Sequence, residues 1–209
     1  MTWTSACFLP ARHARDGHAC DSDSECELPR LACVAGACAP PNLLPNGSFE
    51  LGLGTQEWLP NGTSTLLESS GVHARTGTRS ARAIESGTGD DNLLGVKLDS
   101  HVLRPVQSGG AYCLEAWVWV EVFRPGGRVQ LFASRYSETD REDVEGTFTE
   151  LEAPGWQRLT AQAATPGGWD TALGLKITFK VIPRLAPGEA FFVDDVRVWR
   201  ATPGTCFLE

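Results

Sequence analysis

Between residues 171 and 181 the chain reads TALGLKITFKV, and its side chains alternate. Leu173, Leu175, Ile177, Phe179 and Val181 share one face; Lys176, Thr178 and Lys180 share the other. A period of two, rich in β-branched and aromatic residues, predicts a strand with one buried face. AYCLEAWVWVEV at 111–122 behaves the same way, with Tyr112, Leu114, Ala116, Val118 and Val120 on one side and Cys113, Glu115, Trp117, Trp119 and Glu121 on the other. In RVQLFASRY at 128–136, Val129, Leu131 and Ala133 oppose Arg128, Gln130, Phe132 and Ser134. AFFVDDVRVW at 190–199 is a fourth such run, and turn clusters such as RPGG, TPGG and APGE punctuate the set. Many short strands between Gly and Pro turns, with no helical stretch, predict an all-β fold, a β-sandwich or jelly roll.

Composition narrows the picture further. The chain has 209 residues, room for one domain plus a small appendage. A net charge of −8 argues against a nucleic-acid backbone as partner, because that partner needs clustered Lys and Arg. No apolar run approaches the length of a membrane span. MTWTSAC lacks the basic start and apolar core of an export signal, so either the signal has been removed or the true start lies upstream.

Cysteines fall at 7, 20, 26, 33, 38, 113 and 206. Residues 20–38, CDSDSECELPRLACVAGAC, carry almost no large apolar side chain and need crosslinks to hold a shape. Zinc is the rival use, with His13 and His18 available, but close C-x2-C pairs are missing. Disulfides imply an oxidising, extracytoplasmic home, secreted or at the cell surface. The segment resembles short cysteine-rich repeats of secreted and surface proteins in predatory soil bacteria. Four cysteines allow three pairings, and loop geometry together with that resemblance favours Cys20 with Cys33 and Cys26 with Cys38. If Cys113 also pairs with Cys206, Cys7 is left over. The preceding TSA makes Cys7 a candidate lipoprotein anchor, against a free thiol or another disulfide partner. The prolines of CAPPNLLP then mark a boundary near residue 41, with a disulfide-stabilised segment over 1–41 and a β-domain over 42–209.

Four pieces line up across the second region: NLLPNGSFELG followed by Trp58, GVHARTGTRSARA at 71–83, AYCLEAWVWV with GWQRLTA at 155–161, and AFFVDDVRVW. In that order they resemble the β-jelly-roll carbohydrate-binding modules of families 4, 9, 16 and 22. The resemblance implies a sandwich that binds polysaccharide and holds one structural calcium ion. It also implies that the strand carrying Phe49 and Glu50 lies beside the one carrying Asp194, with calcium tying Glu50 and Asp194 to carbonyls near Thr76 or Gly77. Calcium takes several hard oxygen ligands, which that set supplies. Phe49 is then core, pointing opposite to Glu50, and Trp156 matches the family's structural core tryptophan. The bland alternative is that Glu50 and Asp194 are solvated or paired with arginines.

Sugars present apolar C–H faces and polar rims, so their sites combine an aromatic platform with hydrogen-bonding side chains. Trp117 and Trp119, two residues apart on one strand face, are the candidate platform; Gln130 and Tyr136 are the candidate polar partners if their strand falls alongside. Cover by loops is an equally good account of the two tryptophans, and Cys113 on the same face weakens the platform. Trp58 and Trp169 sit in turn-rich stretches, suited to a rim or to loop packing. No G-x-S-x-G, H-E-x-x-H or phosphate-loop motif appears, and Glu138, Asp140, Glu142 and Asp143 sit in SETDREDVEGT, which reads as a charged loop. NGS at 46 and NGT at 61 are glycan acceptors only in a suitable secretory host and turns otherwise. The expectation is therefore a non-catalytic polysaccharide-binding module. Its rival is an adhesion sandwich whose outer face contacts surface proteins.

Overall fold

The alternating runs form strands throughout. The computed structural model describes residues 32–34, 37–39, 42–53, 58–60, 64–87, 97–100, 109–136, 141–164, 174–201 and 206. The chain divides into two compact units, Met1–Pro41 and Asn42–Glu209. In the first, β1 (Ala32–Val34) and β2 (Ala37–Ala39) form an antiparallel hairpin with Cys33 opposite Cys38. Cys7, Cys20, Cys26, His13 and His18 lie outside the described residues, and with them the expected pairings of the head and the Cys7 anchor.

The second unit contains β3 (Trp58–Pro60), β4 (Thr65–Ser70), β5 (Ser80–Glu85), β6 (Lys97–Ser100), β7 (Ala111–Val120), β8 (Arg128–Tyr136), β9 (Arg141–Glu150), β10 (Gln157–Ala164), β11 (Gly174–Ile182) and β12 (Ala190–Ala201). They make two five-stranded antiparallel sheets. The first has the order β10-β7-β12-β5-β4 and the second β3-β6-β11-β8-β9. This is an all-β sandwich of jelly-roll type, with no helix among the described residues. Alternation supplies the core between the layers. Leu114, Ala116, Val118, Phe191 and Val193 come from the first sheet, and Val129, Leu131, Leu175, Ile177 and Phe179 from the second.

One departure from alternation positions the site. The pairing of β12 with β7 shifts register between Asp194 and Arg197, and Asp195 has a φ of 49°. Phe191 and Val193 are buried before this bulge, Val196 and Val198 after it. The extra residue places Asp194 and Asp195 together at a bend of the strand.

The segment 42–53 runs along that bend. Leu43 N donates to the Val198 carbonyl, Val196 N donates to the Gly47 carbonyl, and Asn42 Nδ2 donates to the Val196 carbonyl. Gly47 is required here, since a Cβ would fall 2.0 Å from the Val196 carbonyl oxygen. Phe49 is fully buried and its ring lies 4.9 Å from that of Trp58, so Phe49 is core, as expected. Trp58 is also core rather than rim: it touches Phe179 and donates its indole N–H to the Asn46 carbonyl. Asn46 uses its own amide to close the turn, donating to the Gly52 carbonyl and accepting from Leu51 N, with a φ of 50°. That is the turn role of NGS.

The acidic stretch behaves differently from its sequence reading. Arg141–Glu150 is β9, not a loop. It is the edge strand beyond β8, and an edge strand tolerates charge.

Candidate functional site

Three regions of the second unit carry the chemistry. The first is the turn at 75–79, gripped by carboxylates from both ends of the domain. Glu50 Oε1 accepts from Thr78 N at 2.9 Å and Arg79 N at 2.8 Å, and Oε2 accepts from the Thr78 hydroxyl at 2.8 Å. The Thr78 backbone bond leads in holding the Glu50 carboxyl below its ordinary range. Gly77 (φ 61°) lies against this carboxylate, where a Cβ would come within 2.4 Å of Oε1. Asp194 Oδ2 accepts from Arg75 N at 2.8 Å and Thr76 N at 3.3 Å, and Oδ1 accepts from Asp195 N at 2.7 Å. Burial pushes the Asp194 carboxyl up to about 6, against those donors. Asp195 completes the grip by accepting from the Thr76 hydroxyl at 2.7 Å and pairing with Arg75 at 2.6 Å.

Glu50, Thr76, Gly77 and Asp194 therefore do meet at one turn. The contacts run through N–H and O–H donors, and each of the two carboxylates has three acceptor positions occupied and one left. Among the described residues no group of three or more His, Cys, Asp or Glu side chains is spaced to hold a metal. Peptide carbonyls would have to complete any cation shell there.

The second region is the outward face of the first sheet. Trp117 and Trp119 are half-buried on it, and each ring has a partner from the protein itself. The Arg75 guanidinium lies 3.7 Å from the Trp117 ring centroid. His73 stacks on Trp119 at 4.0 Å and meets Phe192 edge-on at 4.8 Å. Trp156 meets Trp119 edge-on at 5.9 Å. Trp156 is thus not core. It precedes β10, whose inward positions belong to Leu159, Ala161 and Ala163, and its parity turns it outward. The flanking acids are also engaged, Glu115 with Arg158 at 3.0 Å and Glu121 with Arg82 at 3.6 Å. Further along, Cys113 is sealed in a disulfide with Cys206, as expected.

The third region is the outward face of the second sheet. Gln130 belongs here, and Tyr136 lies on the same strand, because β8 is not beside β7 but in the opposite layer. The condition for a single Trp117–Trp119–Gln130–Tyr136 surface is not met. Gln130 pairs with Lys180 on one side and Phe148 on the other, forming a cross-strand row. Phe132 pairs with Thr178, and Ser134 with Lys176. Ser134 and Thr178 are fully buried although they point away from the core, while Phe148 at the edge is 49% exposed with Arg128 5.2 Å from its ring. The outward face is therefore closed over Phe132, Ser134 and Thr178 and open along the row of Lys180, Gln130 and Phe148. Neither Trp169 nor Asn61 is among the described residues, nor are Glu138 and Asp140.

His73, Arg75 and Phe148 were missed in the sequence. The only signal for the first two was the motif GVHARTGTRSARA itself, whose His73 and Arg75 reach Trp119 and Trp117 on a strand much later in the sequence. Phe148 was hidden by the charged stretch before it.

No family model and no curated protein matches the chain. Solved structures share its fold. The CBM22-1 xylan-binding domain of Paenibacillus barcinonensis Xyn10C aligns with a TM-score of 0.55 at 14% identity, covering 76% of this chain and 94% of that one. A family 4 carbohydrate-binding module aligns at 0.55 and 15% identity, covering 76% and 99%. The C-terminal family 22 module of Clostridium thermocellum Xyn10B aligns at 0.50 and 14%, covering 78% and 99%. The architecture is that of the carbohydrate-binding β-sandwich modules.

Proposed function

We propose that the chain is a non-catalytic polysaccharide-binding module, and that the sugar chain lies on the outward face of β11, β8 and β9. The observation that carries this reading is the contrast between the two outer faces. On the first sheet Trp117 lies under Arg75, and Trp119 is stacked by His73 and met edge-on by Trp156, so both indoles of the strand are engaged by the protein's own groups. On the second, an exposed Phe148 ring stands in register with Gln130 and Lys180. An aromatic edge beside groups that donate and accept hydrogen bonds suits the C–H faces and hydroxyl rims of pyranose rings. A row across these three strands spans about 10 Å, enough for a short run of sugars. The likeness in fold to a xylan-binding domain supports the ligand class.

Retardation in gels containing soluble polysaccharides tests the reading. The wild type should be retarded by at least one polysaccharide, Phe148→Ala and Gln130→Ala should lose most of that retardation, and Trp117→Ala should keep it. If no polysaccharide retards the wild type, the reading is overturned.

Two attributes accompany it. The Cys113–Cys206 disulfide favours an extracytoplasmic, secreted or surface location. Calcium at the 75–79 turn is supported by the convergence of Glu50 and Asp194, each with one acceptor position left, on a turn whose Gly77 makes room for a carboxylate. Its role there is to tie the two ends of the domain together.

A further inference from the structure

Resting on the reading that the chain takes a polysaccharide, we propose that it recognises acetyl groups carried by that polysaccharide, in a small pocket at one end of the sandwich. The pocket lies where strands of both sheets end together. Val120 closes β7, Ile182 closes β11, Gly127 precedes β8 and Leu151 follows β9, and all four line it. Val122, Val181 and Leu185 add to its apolar wall, and Arg124 is the one polar side chain among the described residues that line it.

That side chain is half satisfied. Arg124 Nη2 donates to both carboxylate oxygens of Glu189 at 2.7 Å, whereas Nη1 is buried and has no hydrogen-bond partner among the described residues. A buried donor without an acceptor destabilises the fold, and a ligand oxygen placed on it removes that cost. The charge, by contrast, is already met. Arg124 leads in holding the Glu189 carboxyl below its ordinary range, so Glu189 stands ionised beside the guanidinium. A second carboxylate at Nη1 would be repelled by that neighbour, and a neutral carbonyl oxygen would not.

Size and lining decide the rest. About 180 Å³ of empty space, part of it open to solvent, falls below the roughly 300–1,000 Å³ of pockets that enclose whole small molecules, so this one takes a substituent rather than a sugar ring. Its enclosed part has room for a single water-sized group. Water is a poor occupant, because a buried water makes about three hydrogen bonds and the lining side chains offer one donor among hydrocarbon. A methyl group suits the wall and a carbonyl oxygen on the adjoining carbon suits Nη1; an acetyl group has both. The pocket is also close to the sugar row. Ile182 pairs with Arg128 two residues beyond the pair of Lys180 and Gln130, about 7 Å along the strands, so a polysaccharide on that row brings its substituents to this end of the sandwich.

The test pairs probes of matched backbone, titrated onto the full chain: O-acetylated xylan with the same xylan deacetylated in alkali, and chitohexaose, whose acetyl groups are amides, with cellohexaose. The acetylated member of at least one pair should bind about tenfold more tightly, the combined effect of one buried methyl and one hydrogen bond, and the pair that responds tells ester from amide. Arg124→Lys, which keeps a cation for Glu189 but loses the fork, should erase the preference. Val122→Trp, at a position 39% exposed, fills the mouth and should do the same. Phe148→Ala should weaken both members of a pair alike and leave their ratio unchanged. Excess sodium acetate at constant ionic strength should not compete. Equal binding within both pairs, a preference that survives either pocket variant, or displacement by acetate overturns the acetyl assignment while polysaccharide binding itself stands. No binding to any of the four probes overturns the acetyl assignment, and failure across the wider gel panel overturns the parent reading as well.

Discussion

The two sheets of the sandwich have similar inner faces and opposite outer ones. On the first sheet, outward aromatic residues are stacked, edge-packed or capped by other groups of the same chain, and outward charges are paired across strands. On the second, the outward row runs lysine, glutamine, phenylalanine, and ends on an exposed ring. A face that satisfies itself contributes to stability. A face that leaves a large ring exposed is built for something else, and number of tryptophans alone does not tell the two apart.

Substitutions should separate these roles, beginning with the largest effect. Replacing both Cys113 and Cys206 by alanine opens a crosslink between residues 93 apart and should cost about 4 kcal/mol in denaturant unfolding, with binding retained in the folded fraction. Trp119→Ala removes a ring packed by His73 and Trp156 and should cost about 2 kcal/mol, again with little change in polysaccharide affinity. Phe148→Ala should do the reverse, shifting stability by no more than about 0.5 kcal/mol while weakening binding severalfold. Denaturant curves and affinity electrophoresis on the same samples check all three.

The carboxylate grip adds a dependence on pH. In the folded chain Asp194 titrates at about 6, above the value of about 3.9 for an unperturbed aspartate. The folded state then keeps its proton to higher pH than the unfolded chain. The stability this group contributes is fully present below about pH 4 and is lost as pH rises through about 6. Asp194→Asn should flatten that part of the profile. A calcium ion at the turn favours the ionised carboxylate, so saturating calcium should raise the melting temperature and flatten the same slope. Glu50→Ala should abolish the calcium effect. A change of about 1 kcal/mol, in stability alone, is expected for Arg75→Ala, which uncovers Trp117 and removes an exposed ion pair.

Much of the fold was legible because period-two alternation reports a buried face directly. Leu175, Ile177, Phe179, Val129, Leu131, Leu114 and Val118 all lie in the core that alternation assigns them. The same pattern says which side chains share a face of one strand, but not which strands are neighbours. Trp117 and Gln130 were both placed outward correctly, yet on opposite outsides of the sandwich, because strand order is set by long-range pairing. Trp156 was misplaced for a related reason: it sits one residue before its strand, where parity decides between core and surface. The meeting of Glu50, Thr76, Gly77 and Asp194 was legible only through resemblance, since nothing local in SFE or VDDV points to a turn at 75–79. The bulge that brings Asp194 there breaks the very alternation a reader relies on.

The most direct test of where ligand binds is amide chemical-shift mapping by nuclear magnetic resonance during titration with an oligosaccharide of a polysaccharide that retards the protein. The shifts should gather at Arg128, Gln130, Phe148, Lys176 and Lys180. Shifts gathered instead at His73, Arg75, Trp117, Trp119 and Trp156 would contradict the assignment and return the site to the tryptophan face.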